Sequence, residues 1–223
     1  MISEEQSKKQ IQKSAQEIAH KNKEILDSIN YARRIQNAIL PPREEIFSVF
    51  KDAFVLYKPK DIVSGDFYFF SKTEKRYLIA AADCTGHGVP GALMSMIGND
   101  ILHQVTREMK IEEPAKILDA LHLGVTGILK QDMQRDSRDG MDIALLSFNQ
   151  DFSDMQYAGA YRNFYLVRNN EMIEYKANKF PIGNVQHERD HFKNNTIQLQ
   201  SGDMCYIFTD GYADQFGGEK GKK

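Results

Sequence analysis

Apolar and polar positions follow two different periods along this chain, and the change falls at Pro41-Pro42. Before it, Ser3 to Leu40 contains neither glycine nor proline, and Ile11, Ile18, Ile25, Ala32 and Ile39 recur at every seventh position. The positions four residues later are Ala15, Asn22, Ile29 and Gln36, so half of that second stripe is apolar. A seam spaced at 3.5 residues predicts one long helix over residues 1–40 that pairs as a two-stranded coiled coil, with Asn22 as a register-setting polar residue. A helix lying on its own domain needs the same apolar face. The length, the polar remaining faces and the abrupt stop favour self-association, and a homodimer through this helix is expected.

Beyond Pro42 the pattern shortens to runs with period two. Strands are expected at Ala53–Lys58, Phe67–Ser71, Arg76–Ala82, Asp142–Phe148, Met155–Gly159, Phe164–Arg168, Met172–Tyr175, Thr196–Leu199 and Met204–Thr209. Two helices interrupt them. One opens at Val89-Pro90, where proline suits a first turn, and runs to about Met109. The next follows Glu113-Pro114 and lines up Ile117, Leu118, Leu121, Val125, Ile128 and Leu129 on one side. Strand runs separated by a helical pair predict an α+β domain over residues 43–223, with helices packed on antiparallel sheets.

Composition narrows the function classes. Of 223 residues, 41% are hydrophobic, enough for a real core. Lys+Arg 29 against Asp+Glu 31 gives a net charge of -2, and residues 1–40 carry seven basic against five acidic residues. Neither balance suits a nucleic-acid partner. No apolar run approaches the ~20 residues that span a bilayer, so no membrane insertion is expected. Two cysteines, Cys84 and Cys205, make no disulfide framework and suit a reducing cytoplasm.

Candidate chemistry gathers where acids meet strand ends. Gly65-Asp66 leads into Phe67–Phe70, Tyr77–Ala82 runs into Asp83-Cys84-Thr85-Gly86-His87-Gly88, and Tyr206–Thr209 runs into Asp210-Gly211. Taken singly, an Asp-Gly after a strand is usually a turn. Taken together, apolar strands fix three acids while glycines allow a close backbone approach to a ligand. An oxygen-only donor set suits Mg²⁺ or Mn²⁺ rather than a structural zinc. A pair of such cations can activate water and clamp phosphoryl oxygens.

The wording around those acids is more specific. Gly65-Asp66-Phe67-Tyr68, Asp83 through Ser95, Asp139-Gly140-Met141-Asp142, Phe180-Pro181-Ile182-Gly183 and Phe208 through Asp214 follow one another in order. This series closely resembles the SpoIIE/RsbU-type branch of the metal-dependent protein serine/threonine phosphatases, the PPM or type 2C family. The resemblance covers about Phe47 to the C-terminus, and Ile29 to Pro41 looks like the linker that precedes such domains. It implies a four-layer αββα sandwich of two antiparallel sheets with two divalent cations, Mn²⁺ or Mg²⁺, at one end. Asp83 would bridge both cations, the backbone carbonyl of Cys84 and the Asp66 carboxylate would serve the second, and Asp210 the first. A bridging water would then attack phosphoserine or phosphothreonine in line. The implied partner is a phosphorylated regulatory protein, by analogy an anti-sigma-factor antagonist, in cytoplasmic bacterial signalling.

Other residues divide between chemistry and structure. His87 is a candidate to protonate the leaving oxygen, with a helix-start role as the simpler reading. Asp142 is read as ending the Gly140 turn rather than as a further ligand. Gly217 to Lys223 echoes a phosphate-binding loop without its Ser/Thr or its spacing. Two departures from the family accompany the resemblance. Gly159 to Phe164 stands where relatives carry an Asn-Asn-Pro-like turn, and the chain ends at Lys223 before the family's Asp-Asp strand, so residues 43–223 are expected to be a C-terminally incomplete domain. Two rival functions remain beside the phosphatase: a catalytically inactive module that binds a phosphoprotein, and a coiled-coil interaction protein.

Overall fold

The computed structural model describes residues 4–129, 139–183 and 190–211. Tyr212 to Asp214 and the Gly217–Lys223 run lie outside the described residues. In chain order the elements are α1 Glu4–Ile39, α2 Arg43–Val49, β1 Phe67–Lys72, β2 Arg76–Cys84, α3 Gly88–His103, α4 Pro114–Leu129, β3 Met141–Asn149, β4 Asp154–Ala160, β5 Phe164–Arg168, β6 Glu171–Tyr175, β7 Asn195–Gln198 and β8 Met204–Tyr206. A π-helical turn, Gln104–Glu108, continues α3 to the end expected for that helix.

All pairings between the described strands are antiparallel. One sheet has the order β1-β2-β3-β4-β7 and the other the order β6-β5-β8. Period-two alternation divides the five-stranded sheet between two cores. Phe67 and Phe69 of β1, Leu78, Ala80 and Ala82 of β2, Met141, Ile143 and Leu145 of β3 pack with Leu102 of α3 and Ile117, Leu118 and Leu121 of α4. The alternate residues Ala144, Leu146, Phe148, Met155 and Tyr157 pack with Phe164 and Leu166 of the second sheet. Fully buried side chains of this kind stabilise by about 1.5–3 kcal/mol each. The result is a helix layer, a five-stranded sheet and a three-stranded sheet. Among the described residues no helix covers the outer face of the three-stranded sheet, where Met172 is 69% exposed.

The sequence pattern and the structure part at three places. Ala53–Lys58 forms no strand, since no described strand offers it a ladder; Phe54 lies instead against Tyr206, ring centroids 6.5 Å apart. The last expected strand pairs only through Met204–Tyr206, because β5 presents Tyr165, Leu166 and Val167 as its partners. Helix α2 follows the Pro41-Pro42 break, and its Ile46 is buried.

Helix α1 is two regions joined end to end. Ile11, Ile18 and Ile25 are 69%, 59% and 55% exposed, so the apolar stripe does not lie on its own domain there. Near its end Gln36 is buried. The Gln36 amide donates to the Ser64 carbonyl at 2.6 Å and to Ser95 Oγ at 2.9 Å, and its oxygen accepts the Ser64 N–H at 3.1 Å. The seam pattern counted Gln36 as a polar position of its second stripe. It is in fact a clamp between α1, α3 and the loop that leads to Asp66.

Candidate active site at the edge of the two sheets

Strand parity places the acids. On β2, Asp83 shares its face with Ile79 and Tyr77, the face turned toward the second sheet. On β3, Asp142 shares its face with Ala144 and Leu146 and stands directly opposite Asp83 in the ladder. Cys84 has the opposite parity, so its thiol belongs to the helix-side core, and burial pushes that thiol's pKa up. Only its backbone carbonyl remains available to the site. The cysteine is thereby removed from thiolate chemistry.

Backbone packing brings Asp66 alongside. A Cβ on Gly65 would come 2.9 Å from the Gly86 carbonyl oxygen and 3.0 Å from that of Cys84. A Cβ on Gly91 would meet the Gly86 oxygen at 2.5 Å. The Gly65 loop, the loop after β2 and the start of α3 therefore touch backbone to backbone, a proximity that side chains would prevent. The Gly140 N–H donates to Thr85 Oγ1 and the Thr85 N–H to the Gly140 carbonyl, both at 2.9 Å, which ties the start of β3 to the same loop. The segment after β8 supplies Thr209, whose hydroxyl donates to Asp66 Oδ2 at 2.6 Å, and Asp210.

Electrostatics mark this end of the molecule. Burial first, and then the Asp66 and Asp210 carboxylates against the opposing pull of Arg162, push Asp83 up to about 8. Burial also raises Asp142, with Arg162 opposing and Asp210 adding to the shift. The cation among them is Arg162. Its Nη2 lies 2.5 Å from Asp83 Oδ2, 2.6 Å from Asp210 Oδ2 and 3.4 Å from Asp142 Oδ2. Among the described residues one guanidinium thus faces three carboxylates, and there the cluster is short of positive charge.

That deficit and the oxygen-only donor set fit hard divalent cations. Asp66, Asp83, Asp210 and the Cys84 carbonyl could hold them. Among the described residues no three acidic, histidine or cysteine side chains already stand around a single ion position.

The structure therefore brings Asp66, Asp83 and Asp210 to one place. His87 stands apart, at the start of α3, with Nδ1 3.1 Å from Asp61 Oδ2 and its ring largely exposed. Its observed hydrogen bond does not reach the three acids. Asp142 lies at the start of β3, where its strand was expected to begin, and the β2–β3 register sets it opposite Asp83 in the cluster. Arg162 and Thr209 carried no site role in the sequence. The departure at Gly159 to Phe164 was the one signal that could have singled out Arg162.

Two facing antiparallel sheets with acids at one edge are the architecture of protein serine/threonine phosphatases of the PP2C class. Residues 73–222 match the family model for Stage II sporulation protein E (SpoIIE), and the chain belongs to that family. The SiaA-PP2C domain of Pseudomonas aeruginosa is 34% identical, with 92% of this chain and 79% of that one covered and a TM-score of 0.80. Phosphoserine phosphatase RsbU of Bacillus subtilis (strain 168) is 28% identical over 200 residues, which cover 86% of this chain. The match spans 55% of the length of RsbU. A crystal structure of RsbX in complex with magnesium shares the fold at 18% identity and a TM-score of 0.53, with 71% of this chain and 72% of that one covered.

Proposed function

We propose that this chain is the phosphatase module of a bacterial signalling protein, releasing phosphate from phosphoserine or phosphothreonine on a small regulatory protein. The observation that carries the reading is the convergence of Asp66, Asp83, Asp142 and Asp210 at one edge of the sandwich, with a single guanidinium against them. The phosphoserine phosphatase name of RsbU and the magnesium in RsbX support it. Two divalent cations, Mn²⁺ or Mg²⁺, would be held by Asp83, Asp66, the Cys84 carbonyl and Asp210. Their chemistry when bound is activation of the attacking nucleophile and neutralisation of charge on the phosphoryl oxygens. The chain's own part is positioning. Apolar β2 and β3 hold Asp83 and Asp142 rigidly, and the Thr209 hydroxyl fixes the rotamer of Asp66. The substrate, by analogy with partner-switching systems, is a phosphorylated anti-sigma-factor antagonist, and the site of action is the cytoplasm. Both cysteines are free, and no helix among the described residues is long and apolar enough to cross a membrane.

The deciding experiment is phosphate release from a phosphoserine peptide by the full chain with Mn²⁺, with and without chelator. Asp83→Asn is expected to lower turnover at least about 10³-fold with an unchanged circular dichroism spectrum. Equal turnover by that variant would remove the reading. Wild type that binds the peptide but releases no phosphate would replace it with the binding-module reading.

We further propose that the exposed Ile11, Ile18 and Ile25 stripe of α1 pairs with a second copy of the chain. Light scattering should give twice the chain mass for wild type and the monomer mass when all three are changed to Ser. A monomeric wild type would end the proposal.

A further inference from the structure

We propose that Arg162 is a built-in counter-cation of this site, one that divalent cations must displace from Asp83 and Asp210 before they can load. The inference rests on the metal reading above and concerns what that loading has to overcome.

The backbone at Arg162 is firmly held. It lies where the chain crosses from β4 in one sheet to β5 in the other. The Tyr161 N–H donates to the Asn178 carbonyl at 2.9 Å, and the Tyr157 hydroxyl donates to the Arg162 carbonyl at 2.7 Å. The Ala177 N–H donates to Asn163 Oδ1 at 2.9 Å. A Cβ at Gly159 would stand 2.5 Å from the Arg162 carbonyl oxygen, so this crossing needs its glycine. The scaffold delivers the side chain to the carboxylates from a fixed root.

The guanidinium itself is only half engaged. Nη2 alone makes the contacts with Asp83, Asp210 and Asp142, while Nε is buried without a hydrogen-bond partner among the described residues. An arginine whose task is stability uses its fork, because two parallel bonds to a carboxylate add geometry as well as energy. A buried N–H left without an acceptor is a cost. Among the described residues Arg162 therefore stands in the carboxylate cluster with no acceptor for its Nε–H.

Charge makes the exchange favourable in one direction only when cations are abundant. One positive charge against three carboxylates leaves the cluster underneutralised, and two divalent ions would correct that. At low cation concentration the guanidinium retains Asp83 and Asp210 and keeps these acids from repelling one another. The balance between the two occupants sets the concentration at which the site loads.

Titration calorimetry with Mn²⁺ on the full chain tests this, with Arg162→Ala, Arg162→Lys and Asp83→Asn beside wild type. Arg162→Ala is expected to bind Mn²⁺ at least about tenfold more tightly than wild type, and Arg162→Lys to fall between them. If Asp83→Asn abolishes binding while Arg162→Ala leaves the Kd unchanged or weaker, the counter-cation is refuted and the metal reading stands. If Asp83→Asn binds as wild type does, the metal reading fails and takes this inference with it. A wild-type measurement covers the case in which Arg162→Ala does not fold. The Arg162 Nε–H resonance should move between the metal-free and the Mg²⁺-saturated protein, and a resonance unmoved at saturation overturns the proposal.

Discussion

One arginine precedes strand β5 and another closes it, and the two live in opposite electrostatic regimes. Arg168 closes the strand, with Nε 2.8 Å and Nη2 2.6 Å from the two oxygens of Asp203 and a further bond from Nη2 to the Gln198 carbonyl at 2.8 Å. Asp203 also accepts the Gln200 N–H at 2.9 Å. Every strong group there has its partner, and the Arg168 guanidinium holds the Asp203 carboxyl below the usual range. Six residues earlier, about 20 Å along an extended chain, Arg162 offers one nitrogen to three acids, two of which are pushed up. Both clusters use the same residue types. Stoichiometry separates them: one charge on one charge is balanced beside β8, with a further bond from Arg168 to β7 of the other sheet, whereas one on three leaves negative charge in excess.

The comparison breaks most readily at the balanced end. Asp203→Asn removes the charge that faces Arg168 and replaces one of its two acceptor oxygens by a donor, and should lower Tm by about 3–6 °C while phosphatase activity at ordinary temperature is retained. An unchanged Tm would mean that the pair contributes nothing to stability. An effect that runs with pH is expected at the unbalanced end. An acid whose folded pKa is raised contributes stability that is fully present below its ordinary value near 3.9 and is lost as pH rises through the raised one. With Asp83 raised to about 8, Tm of the metal-free protein should fall as pH rises from about 5 to about 8.5. Asp83→Asn should flatten that slope. Asp203, whose pKa is lowered, contributes nothing to the slope in this window, since its share is lost only as pH falls through its depressed value. Identical slopes for wild type and Asp83→Asn would sink the account of Asp83.

Much of the site was legible in the sequence because glycine and acid types at strand ends are local signals. Asp66, Asp83 and Asp210 stood out by their flanking glycines and apolar strands, and the structure gathers all three. Asp142 was expected to open its strand and does stand at its start, but its place beside Asp83 depends on register. Only the pairing of β2 with β3 sets it opposite Asp83. Gln36 was misplaced for a related reason, since helical periodicity describes a face without saying which stretch of the helix has a neighbour. Ile11 and Gln36 belong to one heptad pattern, yet one is in solvent and the other is sealed against Ser64 and Ser95. The run Ala53–Lys58 has strand composition and no strand beside it, and a ladder requires two partners.

The sequence by itself determined the long N-terminal helix and its stop at Pro41-Pro42. It also determined the α+β succession of strands about a helical pair and the three glycine-flanked acids. These follow from residue type and spacing within a few turns or one strand. Only the tertiary structure decided that β4 hands the chain to the second sheet at Arg162, and that one guanidinium meets acids 79, 48 and 20 positions away along the chain. Charge balance is a property of what surrounds a group in space. No local pattern in the sequence encodes how many carboxylates a single arginine will face.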